Sequence, residues 1–290
     1  MEHFIIAFIL SLVLTKFIIK KMINVKYGID LHKGKKIKVA EMGGFAPLIT
    51  NTVVLPFFNP YILVIVVLSG IIGIIDDIAK LSPKEKLIFL GISALPVGIL
   101  LNMNIFHLFL LMLGVSIASN LTNMLAGFNG LEIGVGIISS IFLGLCLLTI
   151  GDLNGFQLVI IFVMSYLGLF IFNKYPAKVF PGDVGTLPIG AFLATMAIWK
   201  GIILPFLIIM MPYILDAGLK FYSAGVTRRE EHKPTVLKNG KLYVEGGYLS
   251  LPRIILKKKP MKEYEIVLII WGISIFFGVL GLITTKILYY

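Results

Sequence analysis

The sequence predicts an all-α polytopic membrane protein of about ten transmembrane helices, and three observations carry that prediction. Hydrophobic residues make up 58% of the chain and mean hydropathy is +0.98, whereas apolar residues supply about half or less of a soluble domain. Apolar runs of roughly 16–24 residues recur along the chain, as a hydrocarbon core about 30 Å thick requires. The cations are confined to alternate loops: of the 26 Lys and Arg, all but Lys16, Lys200 and Lys286 fall near 20–42, 76–86, 120–131, 174–183 and 220–263.

The expected spans are 3–22, 43–58, 60–78, 86–102, 105–123, 132–150, 156–173, 184–199, 201–221 and 264–288. The first run, Phe4 to Ile19, is followed by Lys20 and Lys21 and lacks a small-residue cleavage site. It reads as a retained helix, not a removed signal peptide. Asn59-Pro60 is a tight reversal between the second and third spans, and Lys200-Gly201 is the break between the eighth and ninth. Ser82-Pro83-Lys84-Glu85 has the form of a capping box with Pro at the first helical position, so a new helix starts there.

Positive residues favour the cytoplasmic side, which places the basic loops inside and both termini outside. The formal charge of +11 then fits anionic membrane lipid or a phosphorylated substrate and gives no sign of nucleic-acid binding. Lys257-Lys258-Lys259, just before the last span, suits anionic headgroups. The single Cys146 lies within an apolar run, which excludes an intrachain disulfide and argues against a metal–thiolate site. With no soluble domain, low-complexity tract or internal repeat in view, residues 1–290 read as one integral membrane domain, with loop 220–263 as a substrate-binding insertion.

Chemistry concentrates at the basic ends of the spans. Asp76-Asp77 closes the run Tyr61 to Ile75. It can cap a helix end or offer carboxylate oxygens to Mg²⁺ or phosphate. Lys86 falls in the first turn of the helix that follows, where free N–H groups already favour anions. Ser119 to Glu132 carries three asparagines and two glycines between two apolar runs. Asn120 and Asn123 share a helix face, and Gly127 and Gly130 let the backbone unwind towards a ligand. In Phe180-Pro181-Gly182-Asp183-Val184-Gly185-Thr186, two glycines bracket an aspartate at a span start, which would cap the helix or supply a second hard oxygen ligand. The loop 220–263 holds Arg228, Arg229, His232 and Lys233, suited to phosphates, and Leu242 to Leu251 reads as a small hairpin around Glu245-Gly246-Gly247. The first loop adds Asp30, His32 and Glu41-Met42-Gly43-Gly44.

In this order the motifs resemble the polyprenyl-phosphate N-acetylhexosamine-1-phosphate transferases over nearly the whole chain: Met42-Gly43-Gly44, Asp76-Asp77, Lys86, Asn120-x-x-Asn123, Gly127-x-Asn129-Gly130, Gly182-Asp183-x-Gly185-Thr186 and the His232 loop. Ala126-Gly127-Phe128-Asn129-Gly130-Leu131-Glu132, with Glu41 before Met-Gly-Gly, looks like the eukaryotic and archaeal N-glycosylation branch. The peptidoglycan branch usually reads Asp-Gly-x-Asp-Gly there and carries a histidine run in the last loop. This chain departs from the eukaryotic pattern too, because two glutamates split its basic cluster where that branch has Arg-His-Arg. Its short loops point to an archaeal cell membrane.

The resemblance implies transfer of N-acetylglucosamine-1-phosphate from UDP-GlcNAc to a polyprenyl (dolichyl-type) phosphate, with release of UMP and Mg²⁺ (or Mn²⁺) as cofactor. It would give Asn123 and Asp183 to the metal and Lys86 to phosphate. Asn120 belongs to the substrate-binding set, Asn129 and Phe180 to the uridine, and Glu41 with Arg228, Arg229, His232 and Lys233 to the sugar-phosphate. Asp76 and Asp77 join Lys86 and Asp183 as catalytic. A lipid phosphate is largely dianionic at pH 7, its second pKa being about 6, so it needs little help from a base. Direct attack on the β-phosphorus is therefore expected, with Asp76 orienting Lys86 or the lipid phosphate. Alternatives are UDP-MurNAc-pentapeptide or another UDP-HexNAc as donor. An aromatic prenyltransferase would need a second Asp-rich cluster. A secondary transporter for an anionic solute would place its polar groups at the midplane and show repeats. The glycines of the spans would serve helix packing and a homodimer alike.

Overall fold

The structure, a computed structural model, describes residues 2–33, 36–224 and 235–289. Arg228, Arg229, His232 and Lys233 lie outside the described residues. Helices α1 (Glu2–Met22), α3 (Pro60–Ala79), α6 (Ile105–Met124), α7 (Leu131–Thr149), α8 (Leu153–Asn173) and α13 (Glu263–Tyr289) are long and apolar enough to cross a membrane. A bent pair, α10 (Ile203–Ile209) and α11 (Met211–Ala224), makes a seventh if it counts as one span.

Each of the ten expected spans coincides with helix, but four do so in short or broken form. α2 (Phe45–Val54, extended as a 3₁₀ turn to Phe57) and α9 (Asp183–Trp199) are apolar yet short. The span expected over 86–102 is divided into α4 (Pro83–Ser93) and α5 (Leu95–Leu100). Pro96 explains that division, because it has no N–H to continue the ladder and its ring clashes with the carbonyl four residues back. Pro212, beside the 62° bend between α10 and α11, acts in the same way. About ten transmembrane helices were expected; among the described residues six are long and apolar enough, or seven with the bent pair.

α9 is the axis of the bundle. Every residue from Val184 to Ile198 is buried, as a helix apolar on all sides requires. It is seated by backbone approach, not by interdigitating side chains alone. A Cβ on Gly44 would lie 2.2 Å from Gly185, one on Gly73 2.5 Å from the Asp183 carbonyl, and one on Gly190 2.2 Å from the Ala118 carbonyl. The Gly44 end of α2 and Gly73 of α3 can therefore hold the first turn of α9, which carries Asp183, at backbone distance, and α6 approaches as closely at Gly190 farther along.

The connections at that end contain structure of their own. β1 (Tyr27–Asp30) pairs antiparallel with β2 (Ile37–Ala40), an element the hydropathy pattern did not predict. The expected hairpin in the last loop is present in a different register. β3 (Val236–Lys238) pairs with β4 (Lys241–Tyr243) around Asn239-Gly240, both with positive φ (49° and 74°). Asn-Gly is the preferred pair for such a turn. Tyr248 to Leu251 is no strand: Ser250 caps α12 (Leu251–Lys258) by accepting from the Arg253 N–H. At the opposite end, the Tyr289 hydroxyl donates to the Gly201 carbonyl at 2.7 Å, and the His3 ring packs on Phe57 and Phe58. Both chain ends therefore lie away from the hairpins.

Candidate active site

The capping box expected at α4 is formed: the Ser82 hydroxyl accepts from the Glu85 N–H, and Glu85 accepts from the Ser82 N–H at 2.8 Å. It starts α4 where Lys86 turns inward, its ammonium 2.7 Å from Asp76 Oδ2 and 2.6 Å from Asp183 Oδ2. Three charges from α3, α4 and α9 thus meet in a largely buried group. Asn123 on α6 donates to the same Asp183 oxygen at 3.0 Å, and its own amide oxygen accepts from the Thr186 hydroxyl at 2.9 Å.

Asp77 is adjacent to Asp76 but is used differently. Its two carboxylate oxygens accept the Asp183 and Val184 backbone N–H groups, each at 3.1 Å. It caps α9 from the neighbouring helix α3, compensating a helix start that Gly182 (φ 69°) leaves without a side chain of its own. A Cβ at Gly182 would lie 2.6 Å from Asp77 Oδ2, so this contact needs glycine. Lys26 donates to the Asp77 carbonyl and sits 3.8 Å from Glu41.

Beside the Lys86 group opens a cavity of about 450 Å³, within the range of small-molecule sites. Asn123, Asp183 and Thr186 line one part of it, and Asp30, His32, Phe128, Asn129 and Phe180 another. Asn129 Nδ2 donates to Asp30 Oδ2 at 2.9 Å, and its backbone N–H donates to Glu263 Oε1 at 2.7 Å. Asp30 Oδ1 accepts the His32 backbone N–H at 2.9 Å. The His32 ring stacks on Phe128 and bridges Glu263 (3.2 Å) and Thr235 (2.8 Å). Arg253, buried at the rim over the Tyr248 ring, donates to the Tyr248 and Gly246 carbonyls.

The structure therefore gathers Asp76, Lys86, Asn123 and Asp183 into one group and sets Asn129 and Phe180 along the adjoining cavity. Glu41 stands outside the lining, paired with Lys26. Asn120 bonds back to the Ser116 carbonyl on its own helix at 2.8 Å and does not line the cavity. Lys26, Thr186, Arg253 and Glu263 were absent from the expected site set. Thr186 stood inside a quoted motif, whereas Glu263 is a span-end carboxylate with no local signal.

Carboxylate and carboxamide oxygens from Asp183, Asp76 and Asn123 are the donor chemistry that Mg²⁺ takes. Asp30, His32 and Glu263 also bring one donor atom each within 4.8 Å of one another.

An ammonium held between carboxylates, beside a carboxamide and a cavity in a bundle of apolar helices, is chemistry suited to phosphate esters and a divalent cation. The model of glycosyl transferase family 4 matches residues 59–201, the stretch holding Asp76, Lys86, Asn123 and Asp183. A Methanocaldococcus jannaschii protein described as a "Putative glycosyltransferase" is 60% identical over 288 residues, 98% of this chain and 96% of its own. A Saccharolobus solfataricus protein described as a "Putative UDP-N-acetylglucosamine--dolichyl-phosphate N-acetylglucosaminephosphotransferase" is 30% identical, covering 96% and 94%. A "Phospho-N-acetylmuramoyl-pentapeptide-transferase" of Streptococcus pyogenes is 30% identical, covering 79% and 74%. The chain belongs to glycosyl transferase family 4, in the group of polyprenyl-phosphate N-acetylhexosamine-1-phosphate transferases.

Proposed function

We propose that this chain transfers N-acetylglucosamine-1-phosphate from UDP-GlcNAc to a polyprenyl phosphate of the dolichyl type, releasing UMP and starting a lipid-linked glycan. The observation that carries the reading is the Lys86 ammonium between Asp76 and Asp183, beside a cavity lined by Asn123, Asn129 and Phe180. Its branch within the family follows Ala126 and Asn129 and the names of the archaeal relatives.

Asn123 and Asp183 would hold Mg²⁺, which when bound supplies positive charge to the diphosphate. Lys86 is held in place by two carboxylates, so its charge is fixed before substrate arrives. Once a diphosphate enters, the ammonium can share its donors with a phosphoryl oxygen while Asp76 keeps it oriented. The lipid phosphate, already dianionic, attacks the β-phosphorus directly; the bond to the UMP oxygen breaks and UMP leaves with its electron pair. Asp77, with both oxygens on α9 N–H groups, positions Asp183 and takes no covalent part. Phe180 and Asn129 serve the uridine, and Glu41 with the 228–233 cations serves the sugar-phosphate.

Ten membrane passes with the site on the cytoplasmic face and both termini outside complete the reading, in an archaeal cell membrane. It is supported by described residues of those loops, among them Asp30, Lys86, Pro181 and Arg253, meeting at the site end while His3 and Tyr289 pack at the other. Purified protein given polyprenyl phosphate, Mg²⁺ and either UDP-GlcNAc or UDP-MurNAc-pentapeptide should release UMP with the first donor. Release with the pentapeptide donor alone would transfer the chain to the peptidoglycan branch, and release with neither would sink the enzyme reading.

A further inference from the structure

Asn129 is a cavity-lining amide whose orientation is dictated by its neighbours through an unbroken chain of hydrogen bonds. A backbone N–H can only donate, so the His32 N–H at 2.9 Å commits Asp30 Oδ1 as an acceptor. The other oxygen of that carboxylate, Oδ2, lies 2.9 Å from the Asn129 side chain. Turning the Asn129 oxygen towards it would set lone pair against lone pair, so the NH₂ must face Asp30. The Asn129 backbone is held as well, its N–H donating to Glu263 Oε1 at 2.7 Å. What remains of the side chain is Oδ1, which takes no hydrogen bond among the described residues, and the second N–H beside it, on a residue that lines the cavity. The amide is thereby fixed with its oxygen, an acceptor, turned away from Asp30 and free for a ligand, and it cannot flip to exchange oxygen for NH₂.

We propose that Asp30 is a positioning residue that sets base selectivity by locking Asn129 with its amide oxygen towards the ligand. The inference rests on the reading of this cavity as the uridine site. Uracil presents N3–H, a donor, to such an oxygen. Cytosine presents an unprotonated N3 whose lone pair opposes it, so a cytidine nucleotide must shift sideways or leave a buried polar group unpaired. Sites built to hydrogen-bond one edge reject the mismatched edge strongly, because their buried groups are then left without partners.

The chain of bonds also predicts what an isosteric change does. In Asp30→Asn the His32 N–H still claims the side-chain oxygen at position 30, so that residue's NH₂ now faces Asn129. Asn129 must then turn its oxygen towards position 30 and present its NH₂ to the cavity. The readout inverts without any change of volume.

The test is calorimetric titration of the detergent-purified chain with UDP and with CDP in the presence of Mg²⁺. The wild-type chain should prefer UDP by about tenfold or more, the factor that roughly 1.4 kcal/mol supplies. Asp30→Asn should bring the ratio of the two affinities to unity or reverse it, and Asn129→Ala should bring it near unity. A variant that merely loosened the fold would weaken both nucleotides together and leave the ratio unchanged. A wild-type ratio retained in Asp30→Asn, or a wild-type chain that binds UDP and CDP equally, would overturn the proposal while leaving a nucleotide site standing. A wild-type chain that binds neither nucleotide would remove the uridine reading, and the proposal with it.

Discussion

Asp77→Asn separates a positioning carboxylate from a chemical one. Asp77 is buried, and each of its oxygens accepts one N–H from the first turn of α9. Asparagine can keep one of those bonds; its NH₂ must then oppose the other N–H. Losing one charge-assisted bond and leaving one buried donor unpaired costs about 2–3 kcal/mol. The displaced turn carries Asp183, which must stay within 2.6 Å of Lys86, and a misplacement of about 1 Å at such a site can cost roughly a hundredfold in rate. Thermal unfolding followed by fluorescence-detected gel filtration should therefore show a lowered Tm, with UMP release reduced but measurable. A variant as stable as the wild type with no activity at all would refute the reasoning, as would a trapped phospho-Asp77, because either result makes the carboxylate a reactant.

Two further outcomes follow from the same geometry. Lys86→Met removes the cation shared by Asp76 and Asp183 and leaves the buried Asp76 carboxylate facing the partly exposed Asp183, a loss of about 3 kcal/mol, the low end for breaking a buried ion group; UMP release should vanish and thermal stability fall together, and a stable, active variant would dismiss the ammonium's role. Gly44→Ala places a methyl 2.2 Å from the Gly185 backbone, so α2 must retreat from α9 at a cost of about 1–3 kcal/mol; an unchanged Tm would show that α9 is seated some other way.

How much of this was legible in the sequence depends on how local each signal was. Helix existence followed from hydropathy, and the capping box at Ser82 followed from four adjacent residues. The breaks at Pro96 and Pro212 were written locally too, but a run long enough to span concealed them. The Asn239-Gly240 turn was also available; the triplet Glu245-Gly246-Gly247 was the weaker signal. Asp76 and Asp77 could not be told apart, because neighbouring helix positions point about 100° away from each other and the N–H groups that Asp77 accepts lie on Asp183 and Val184, far along the chain. Asp30, Asn129 and Glu263 meet only through the fold, so nothing local linked them.

If the Asp76–Lys86–Asp183 group performs sugar-1-phosphate transfer to a lipid phosphate, the lipid product itself will show it. Mass spectrometry of the lipid fraction would follow incubation of wild-type and Asp183→Asn protein with polyprenyl phosphate, UDP-GlcNAc and Mg²⁺. The expected result is polyprenyl-diphospho-N-acetylglucosamine from the wild type and none above background from the folded variant. Equal product from both would contradict the account, since it would place the chemistry away from this site.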